Sequence, residues 1–233
     1  MSDRFAVIAA HNRPELLRDT VLAIGPQVDA VIIVDNASSP AVGMRSLDLP
    51  PDRSWRTMII PVAEQPPNLA RNWNVGIDAA MRMHEASANR GRPFVAVLND
   101  DAPPPPSWFA AVTAAMVETG SVVGCSDPWG TPHEPRVKRE PDRSLMERMP
   151  GWAWILDPIS PVRPDESLRW WWNDTDVDWQ ARLAGGMVMV GGLAVPNAQP
   201  NHWTVARADC AAQARADGPT FAAKWAAYGG CPW

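Results

Sequence analysis

Acidic and amide side chains follow the apolar segments of this chain at the points where buried strands are expected to end. Residues 30–34 are apolar and lead into Asp35-Asn36, and residues 94–98 lead into Asn99-Asp100-Asp101. A third acidic stretch, at 173–176, lies at the expected start of a helix. Continuous apolar runs of this length are typical of parallel strands that are buried on both faces. In a sheet of such strands, ligands lie outside the carboxyl ends, where these side chains would gather.

The order of the apolar segments predicts an α/β fold. Pro14 suits the first turn of a helix, and Gly25-Pro26 ends that helix before the second strand. Such a strand–helix–strand unit should cross over in the right-handed sense. Further strands are predicted at 57–62, 94–98, 121–125, 153–156 and 187–190. Further helices are predicted at 69–86, from about 107, at 174–184 and at 205–227. Asp174 would cap the third of these helices, and the last is either unbroken or broken at Gly218-Pro219. We therefore predict a single Rossmann-like, open, mixed sheet flanked by helices.

Length and composition favour one soluble globular domain. The 233 residues are 46% hydrophobic, which is ample for a core, and the net charge of −5 argues against a general nucleic-acid binder. The three cysteines are far apart and form no CxxC pair, so we expect reduced thiols in the cytoplasm and no structural zinc. No apolar run reaches the length of a membrane span, and no signal-peptide core precedes the first strand.

The doublet Asp100-Asp101 is the strongest candidate for chemistry. Hard divalent cations such as Mg²⁺ or Mn²⁺ prefer oxygen ligands, and one or two carboxylates suffice when a diphosphate supplies the others. A polar turn is the alternative interpretation, and it applies equally to Asp35-Asn36, which could otherwise hold ribose hydroxyls. The chain has no GxGxxG after its first strand and no Walker loop, which argues against NAD-dependent chemistry and P-loop phosphoryl transfer.

Aromatic residues surround the third acidic stretch. Trp170-Trp171-Trp172 precede Asn173-Asp174, and an apolar wall of this kind would raise the pKa of a nearby carboxyl group towards the range of a general base. Indole faces also pack against sugar rings, although core packing is the favoured role for at least one of the three tryptophans. Residues 127–169 are rich in proline, charge and tryptophan, and we expect them to form a short active-site flap or an acceptor-binding lobe rather than a linker.

Five of these motifs, in this order, resemble family 2 inverting glycosyltransferases of the GT-A fold. AAHNRPELL (9–17) and VDNAS (34–38) are similar to the family's opening, and NLARNWNVG (68–76) is similar to its nucleotide-side helix, with Ala70 in place of the first glycine. LNDDAP (98–103) looks like a DxD segment. NDTD (173–176) with RLAG (182–185) resembles the family's EDxD and RAxxAG stretch, with Asn173 in place of the glutamate. The arginines that the family carries near 151–166 are missing.

The resemblance assigns roles to individual residues. It implies that Asp174 is the catalytic base, or Asp176 if the alignment shifts by two residues, and that Asp101 and His202 hold Mn²⁺ or Mg²⁺. It implies acceptor or sugar contacts for Trp152, Trp172 and Asn173. The nucleotide would be bound by Ala10, His11, Asn12, Asp35, Asn36, Arg71, Asn74, Asn99 and Asp100. The chain would form one GT-A domain at 1–233, with a nucleotide-sugar half at 1–126, an acceptor and catalytic half at 127–204, and a helical tail at 205–233.

The implied activity is hexosyltransferase-like: metal-assisted transfer of a sugar, with inversion, from a UDP-, GDP- or dTDP-sugar to a saccharide, protein or lipid-linked hydroxyl. The composition suggests a bacterium or a bacteriophage-infected cell. A nucleotidyltransferase of similar architecture is one alternative, but it would need a glycine- and lysine-bearing loop where His11-Asn12-Arg13 stand. A non-catalytic sugar- or nucleotide-binding module is the other, and the missing glutamate and arginines favour it slightly.

Overall fold

The structure is a computed structural model that describes residues 3–64, 66–89, 91–142, 144, 147–197 and 208–230. Its strands are β1 (Arg4–Ala10), β2 (Ala30–Asn36), β3 (Arg56–Val62), β4 (Phe94–Asn99), β5 (Val123–Ser126), β6 (Arg136–Lys138), β7 (Ala153–Leu156) and β8 (Met187–Val190). Its helices are α1 (Pro14–Ile24), α2 (Met44–Leu47), α3 (Leu69–Ala86), α4 (Trp108–Thr119), α5 (Asn173–Ala184) and α6 (Ala208–Lys224).

Within the described residues, the strands form one eight-stranded sheet in the order β3-β2-β1-β4-β7-β5-β8-β6. β1 pairs in parallel with β2 and β4, and β5 pairs in parallel with β8. β7 is antiparallel to both of its neighbours, β4 and β5, so those two run in the same direction. The carboxyl ends of β1, β2, β4, β5 and β8 therefore meet at one edge, which also holds the beginning of β7.

Two apolar cores cover the two faces of the sheet, because successive side chains of a strand point to opposite faces. On one face, Ile8, Ile33 and Leu98 pack with Leu17 of α1 and Phe109 of α4. On the other face, the neighbouring strand residues Val7, Ile32 and Val97 pack with Trp73 of α3 and Val177 of α5. The predicted α/β fold with a single open mixed sheet between helices is thus confirmed.

Two element predictions need correction, and one open alternative is decided. α5 begins at Asn173 rather than being capped by Asp174, because Trp172 takes the cap position with a positive φ of 68°. β6 was not predicted within the flap, where its three residues pair with the edge of β8. α6 continues through Pro219. A proline inside a helix costs about 3 kcal/mol, and burial of Phe221 and Trp225 beyond it, about 1.5–3 kcal/mol each, offsets that cost.

Within the described residues, no helix combines the length and the apolar character that a membrane span requires.

Gly76 lets α3 lie directly on β1, and we predict that Gly76→Ala destabilises the protein. A Cβ at this position would overlap Val7 Cγ1 and lie 3.0 Å from Val7 Cγ2. Helix propensity favours alanine by about 1 kcal/mol, but forcing a methyl group into a packed core costs about 1–3 kcal/mol. Urea unfolding should show a net loss of stability, whereas Gly43→Ala, in open space, should change little. An equally stable Gly76→Ala variant would contradict this packing.

Candidate active site

A cavity of about 490 Å³ lies at the carboxyl edge of the sheet. It brings together residues that are far apart in sequence and that come from five strand ends and the start of α5. The lining includes Ala10, His11, Asn12, Arg13, Asn36, Asn99, Asp100, Asp101, Trp129, Gly151, Trp152, Asn173, Asp174, Thr175 and Asn197. The acidic doublet after β4 and Asp174 at the start of α5 therefore share one cavity.

Arg13 ties the acidic doublet to the loop between β1 and α1. Its Nη1 donates to Asp101 Oδ2 at 2.7 Å, its Nε donates to Asp100 Oδ2 at 3.2 Å, and its Nη2 makes a second bond to Asp100. The backbone N–H of His11 also donates to Asp100 Oδ2 at 3.3 Å. Both carboxylates are almost fully buried. One guanidinium group thus bridges two buried carboxylates, and it fixes their positions relative to the first strand.

Burial raises the pKa of Asp100 to about 7, against the attraction of the Arg13 guanidinium, and the neighbouring charge of Asp101 adds to the rise. Asp101 differs because its buried Oδ1 has no hydrogen-bond partner among the residues that the structure describes. An unpaired buried carboxylate oxygen is unfavourable unless a cation or donor reaches it. Within the described residues, no three His, Cys, Asp or Glu side chains cluster as metal ligands. Asp101 can thus offer one oxygen to a cation whose other ligands come from a bound phosphate or water.

Asp174 lies beside the start of β7. Its Oδ1 accepts a hydrogen bond from the backbone N–H of Thr175 at 2.8 Å. Its other oxygen lies so close to Gly151 that a Cβ there would overlap it, and that Cβ would be 2.9 Å from Asp174 Cγ. Because β7 separates β4 from β5 and Asn99 N–H bonds to Trp152 O at 2.9 Å, the Asp174 carboxylate lies next to the acidic doublet along the edge of the sheet.

Asp176 has a different environment and does not line the cavity. Its carboxylate is fully buried and accepts hydrogen bonds from Trp225 Nε1 at 2.8 Å, Lys224 Nζ at 3.0 Å and Gln180 Nε2 at 2.6 Å. Burial raises its pKa, and Lys224 opposes the rise. Lys224 is the last residue of α6 and Trp225 directly follows it, so Asp176 joins α5 to the C-terminal helix.

The structure divides the other predicted nucleotide residues into two groups. Ala10, His11, Asn12, Asn36 and Asn99 line the cavity, with His11 Nδ1 lying 2.7 Å from the Asn36 carbonyl oxygen. The second group lies outside the lining. Asp35 accepts from the amides of Ser38 and Val42, Arg71 pairs with Glu64 at 3.3 Å, and Asn74 bonds to Pro164 O and Glu166.

The predicted acceptor residues are similarly divided. Trp152 and Asn173 line the cavity, and Trp152 Nε1 donates to the Val195 carbonyl at 2.9 Å. Trp172 is instead buried and stacked on Phe221, with ring centroids 4.9 Å apart, in a cluster with Trp179 and Trp225. This agrees with the core-packing role that the sequence left open for one of the three consecutive tryptophans. His202 lies outside the described residues.

Sequence reasoning missed several residues of the cavity. Arg13, Gly151 and Trp129 were not given roles, although each has a direct part in the geometry. Arg13 could have been found, since a basic residue three positions after β1 faces the same edge as the β4 carboxylates. Gly151 gave no such signal, because only the fold brings it against Asp174.

Arg182 holds part of segment 127–169, which contributes residues to the cavity lining. Its buried guanidinium donates to Asp178 Oδ1 and Oδ2 at 2.8 and 2.9 Å, and to Asp142 Oδ2 at 2.8 Å. It also donates to the backbone carbonyls of Glu140 and Glu147 at 3.2 and 3.1 Å. All five of its N–H groups are thus used, and they join α5 to Glu140, Asp142 and Glu147, the last of which directly precedes the lining segment 148–152.

Comparison with known proteins identifies the fold. No family profile matches the sequence, and no curated protein matches it either. A crystal structure of S. aureus TarS residues 1–349 is similar with a TM-score of 0.61 at 11% identity, over 96% of this chain and 72% of that chain. The chain has the fold of TarS. It covers 36% of a longer TarS structure, which matches over 83% of this chain with a TM-score of 0.57 and 11% identity.

Two of these TarS structures contain ligands. The complex with UDP has a TM-score of 0.59 at 10% identity, over 96% of this chain and 72% of that chain. The complex with UDP-GlcNAc has a TM-score of 0.55 at 11% identity, over 83% of this chain and 57% of that chain. At this level of identity, the likeness establishes a shared fold.

Proposed function

We propose that this protein is a glycosyltransferase that uses a nucleotide-sugar donor. The observation that carries the proposal is the single cavity in which the strand-end doublet Asp100-Asp101 and the helix-start carboxylate Asp174 lie side by side. The likeness to TarS structures solved with UDP and with UDP-GlcNAc supports a nucleotide sugar as the donor. Family 2 membership and inversion follow from the motif resemblance and are part of the proposal.

The nucleotide would lie on the side of the cavity formed by β1, β2 and β4. Ala10, His11, Asn12, Asn36 and Asn99 line that side and offer backbone and amide groups to a base, ribose or phosphate. The predicted nucleotide residues outside the lining would act by shaping loops. Asp35 holds the turn after β2 through two backbone amides, and Arg71 and Asn74 fix neighbouring segments at 64 and 164–166.

Asp174 would act as the general base. Its carboxylate takes the proton of the acceptor hydroxyl while that oxygen bonds to the anomeric carbon, and the bond from that carbon to the diphosphate breaks on the opposite face. We propose Asp174 rather than Asp176 because Asp174 lines the cavity, whereas the Asp176 oxygens are occupied by Lys224, Trp225 and Gln180. Asn173 and Trp152 would contact the reacting sugars.

Asp101 would hold Mn²⁺ or Mg²⁺ through its unpaired Oδ1, and the predicted partner His202 is the second candidate ligand. A divalent cation bound here would neutralise the diphosphate and stabilise its departure. Arg13 contributes positive charge at the same place, since its guanidinium is already shared between the two carboxylates. A nucleotide-sugar donor also fits the predicted cytoplasmic location, in which buried Cys125 stays a thiol.

Asp101→Asn should weaken the binding of Mn²⁺ in the presence of UDP by about tenfold or more, because one anionic oxygen ligand is lost. Electron paramagnetic resonance of free Mn²⁺ measures this binding without any need for turnover. Asp48→Asn, at an exposed carboxylate far from the cavity, is the matched control and should bind Mn²⁺ as the wild type does. Equal Mn²⁺ affinity in wild type and Asp101→Asn would remove Asp101 from the metal site.

The function itself is tested by incubation with UDP-, GDP- and dTDP-sugars and Mn²⁺. We expect slow release of the nucleoside diphosphate from one of these donors, even without an acceptor. Release of pyrophosphate from a nucleoside triphosphate and a sugar phosphate would indicate a nucleotidyltransferase instead. Tight binding without any turnover, with or without acceptors, would indicate a binding module.

A further inference from the structure

Trp129 is exposed at the mouth of the cavity, which is unusual for this chain. Its side chain is 75% exposed, whereas the other described tryptophans are buried or half-buried. Trp152 is anchored by its bond to Val195 O and packs on the core, and Trp171 packs against the aromatic cluster of α5 and α6. Trp129 therefore presents an indole to solvent while it also lines the cavity.

Three hydrogen bonds to Asp127 hold the turn that carries Trp129. Asp127 Oδ1 accepts from the amides of Trp129 at 2.8 Å and Thr131 at 3.2 Å, and Gly130 N–H bonds to Asp127 O at 3.0 Å. Burial raises the pKa of Asp127, but these amide bonds and the nearby His133 ring outweigh it and hold the pKa below its usual value. The carboxylate that organises the turn therefore stays ionised at neutral pH.

The same turn is fastened to the end of β8. Asp127 N–H bonds to the Val190 carbonyl at 2.8 Å, and Gly192 N–H bonds to the Thr131 carbonyl at 3.1 Å. Gly191 lies directly against the His133 backbone, where a Cβ would not fit. An exposed indole on such a preformed turn loses little conformational entropy when a ligand covers it, which is the property of a binding platform.

The order of the strands shows where Trp129 lies relative to the acidic doublet and to Asp174. Along the carboxyl edge, the doublet after β4 comes first, Gly151 and Asp174 follow at the start of β7, and Trp129 comes after β5. Neighbouring strands are about 4.8 Å apart, so β4 and β5 are separated by about 10 Å. Asp174 thus lies between the proposed diphosphate position and Trp129. The group from which Asp174 takes a proton must approach from the Trp129 side.

We infer that Trp129 is the stacking platform for the acceptor and that the acceptor is a carbohydrate, with one face of a pyranose ring lying on the indole. A flat, rigid aromatic face suits the apolar C–H face of a sugar ring, whereas an acyclic hydroxyl presents no such face. This inference rests on the proposed function, because it uses Asp174 as the base. It adds Trp129 to the sugar contacts proposed for Trp152, in place of Trp172, which packs on Phe221.

The test uses the full chain labelled with 5-fluorotryptophan and saturated with UDP. The ¹⁹F resonance of Trp129 is identified by its loss in Trp129→Phe. Methyl β-D-glucopyranoside and maltotriose should shift this resonance saturably, and glycerol at equal hydroxyl concentration should not. Trp129→Ala should weaken saccharide binding, and the acceptor kcat/KM, by about ten- to a hundredfold. Ile159→Ala, which removes an exposed side chain outside the cavity, should behave as the wild type.

Hydrolysis of the nucleotide sugar without acceptor separates the two proposals. Trp129→Ala should lose far more of its transfer to saccharides than of its donor hydrolysis, because Trp129 follows β5, two strands away from the doublet after β4. The inference alone is overturned if the wild-type protein hydrolyses the donor but neither saccharide shifts the Trp129 resonance. It is likewise overturned if glycerol shifts that resonance as much as the saccharides do. A change of oligomeric state in Trp129→Ala with unchanged saccharide binding also overturns it. A wild-type protein that neither binds UDP nor hydrolyses any donor overturns both proposals.

Discussion

Asp174→Asn is expected to lower sugar transfer by about a hundred- to ten-thousandfold, which is the usual contribution of a general base. Asparagine keeps the size of the side chain and its bond from the Thr175 amide, so the helix start should be unchanged. Nucleotide binding should also be retained, because the groups proposed to bind it lie on the other side of the cavity. Titration with UDP and a measurement of transfer by the same preparation separate the two quantities.

Asp176→Asn is the matched control for that experiment. Asp176 lies two residues further along α5 and carries the same charge, but its oxygens bind Lys224, Trp225 and Gln180. We expect this variant to be less stable and yet to turn over when folded. Wild-type turnover in Asp174→Asn would reject Asp174 as the base, and loss of turnover only in folded Asp176→Asn would move the role to Asp176.

Gly151→Ala tests the same carboxylate from the opposite side. The added methyl group would overlap the free end of the Asp174 side chain, which can rotate away, rather than a rigid backbone segment. We therefore expect lower turnover with a smaller change in stability, since a displaced base loses its alignment with the acceptor hydroxyl. Full activity in this variant would show that the Asp174 oxygen beside Gly151 is not the one that takes the proton.

Arg182→Met is expected to destabilise the protein by about 3–5 kcal/mol, the cost of leaving a buried charge without its partner. Asp178, which is fully buried, would lose both of its hydrogen bonds from the guanidinium group. The backbone carbonyls of Glu140 and Glu147 would also lose their hydrogen-bond donor. Urea unfolding at pH 7 measures the loss. Arg45→Met, at an exposed arginine, should change stability by about 0.5 kcal/mol or less.

The deficit of Arg182→Met should grow as the pH rises. Burial already raises the pKa of Asp178, and Arg182 is the main group that opposes this rise. Without Arg182 the folded pKa lies further above the unfolded value of about 3.9, so the folded state binds the proton more tightly. Stability is therefore lost as the pH increases from the unfolded pKa to the folded pKa. A deficit that is equal at pH 5 and pH 8 would contradict this account.

A double variant separates the charge effect from packing. Arg182→Met with Asp178→Leu replaces both partners by apolar groups, so no unpaired carboxylate remains at the centre of the network. We expect it to recover part of the stability lost in Arg182→Met. If the double variant is instead the less stable of the two, the principal role of Arg182 is to hold the flap carbonyls rather than to neutralise Asp178.

The sequence by itself determined the sheet and the edge of the sheet at which the candidate site lies. Short apolar runs such as 30–34 and 94–98, rich in β-branched residues, favour strands covered on both faces, and parallel strands place the residues that follow them at one edge. The cavity that holds Asn36, Asn99, Asp100 and Asp101 is a direct result of that rule. Local patterns suffice here because strand direction and burial are properties of neighbouring residues.

Tertiary structure decided which residues of each motif face the cavity. Asp174 and Asp176 look alike in sequence, but residues two apart on a helix point in different directions, and α6 covers only the second. Trp152 and Trp172 were expected at the acceptor, yet Trp172 is packed against Phe221, while Trp129 is left exposed by a turn fastened to β8. Some contacts exist only in the folded chain, because they join residues that are 23 to 88 positions apart. They are the contacts of Arg13 with Asp101, of Gly151 with Asp174 and of Arg182 with Asp142.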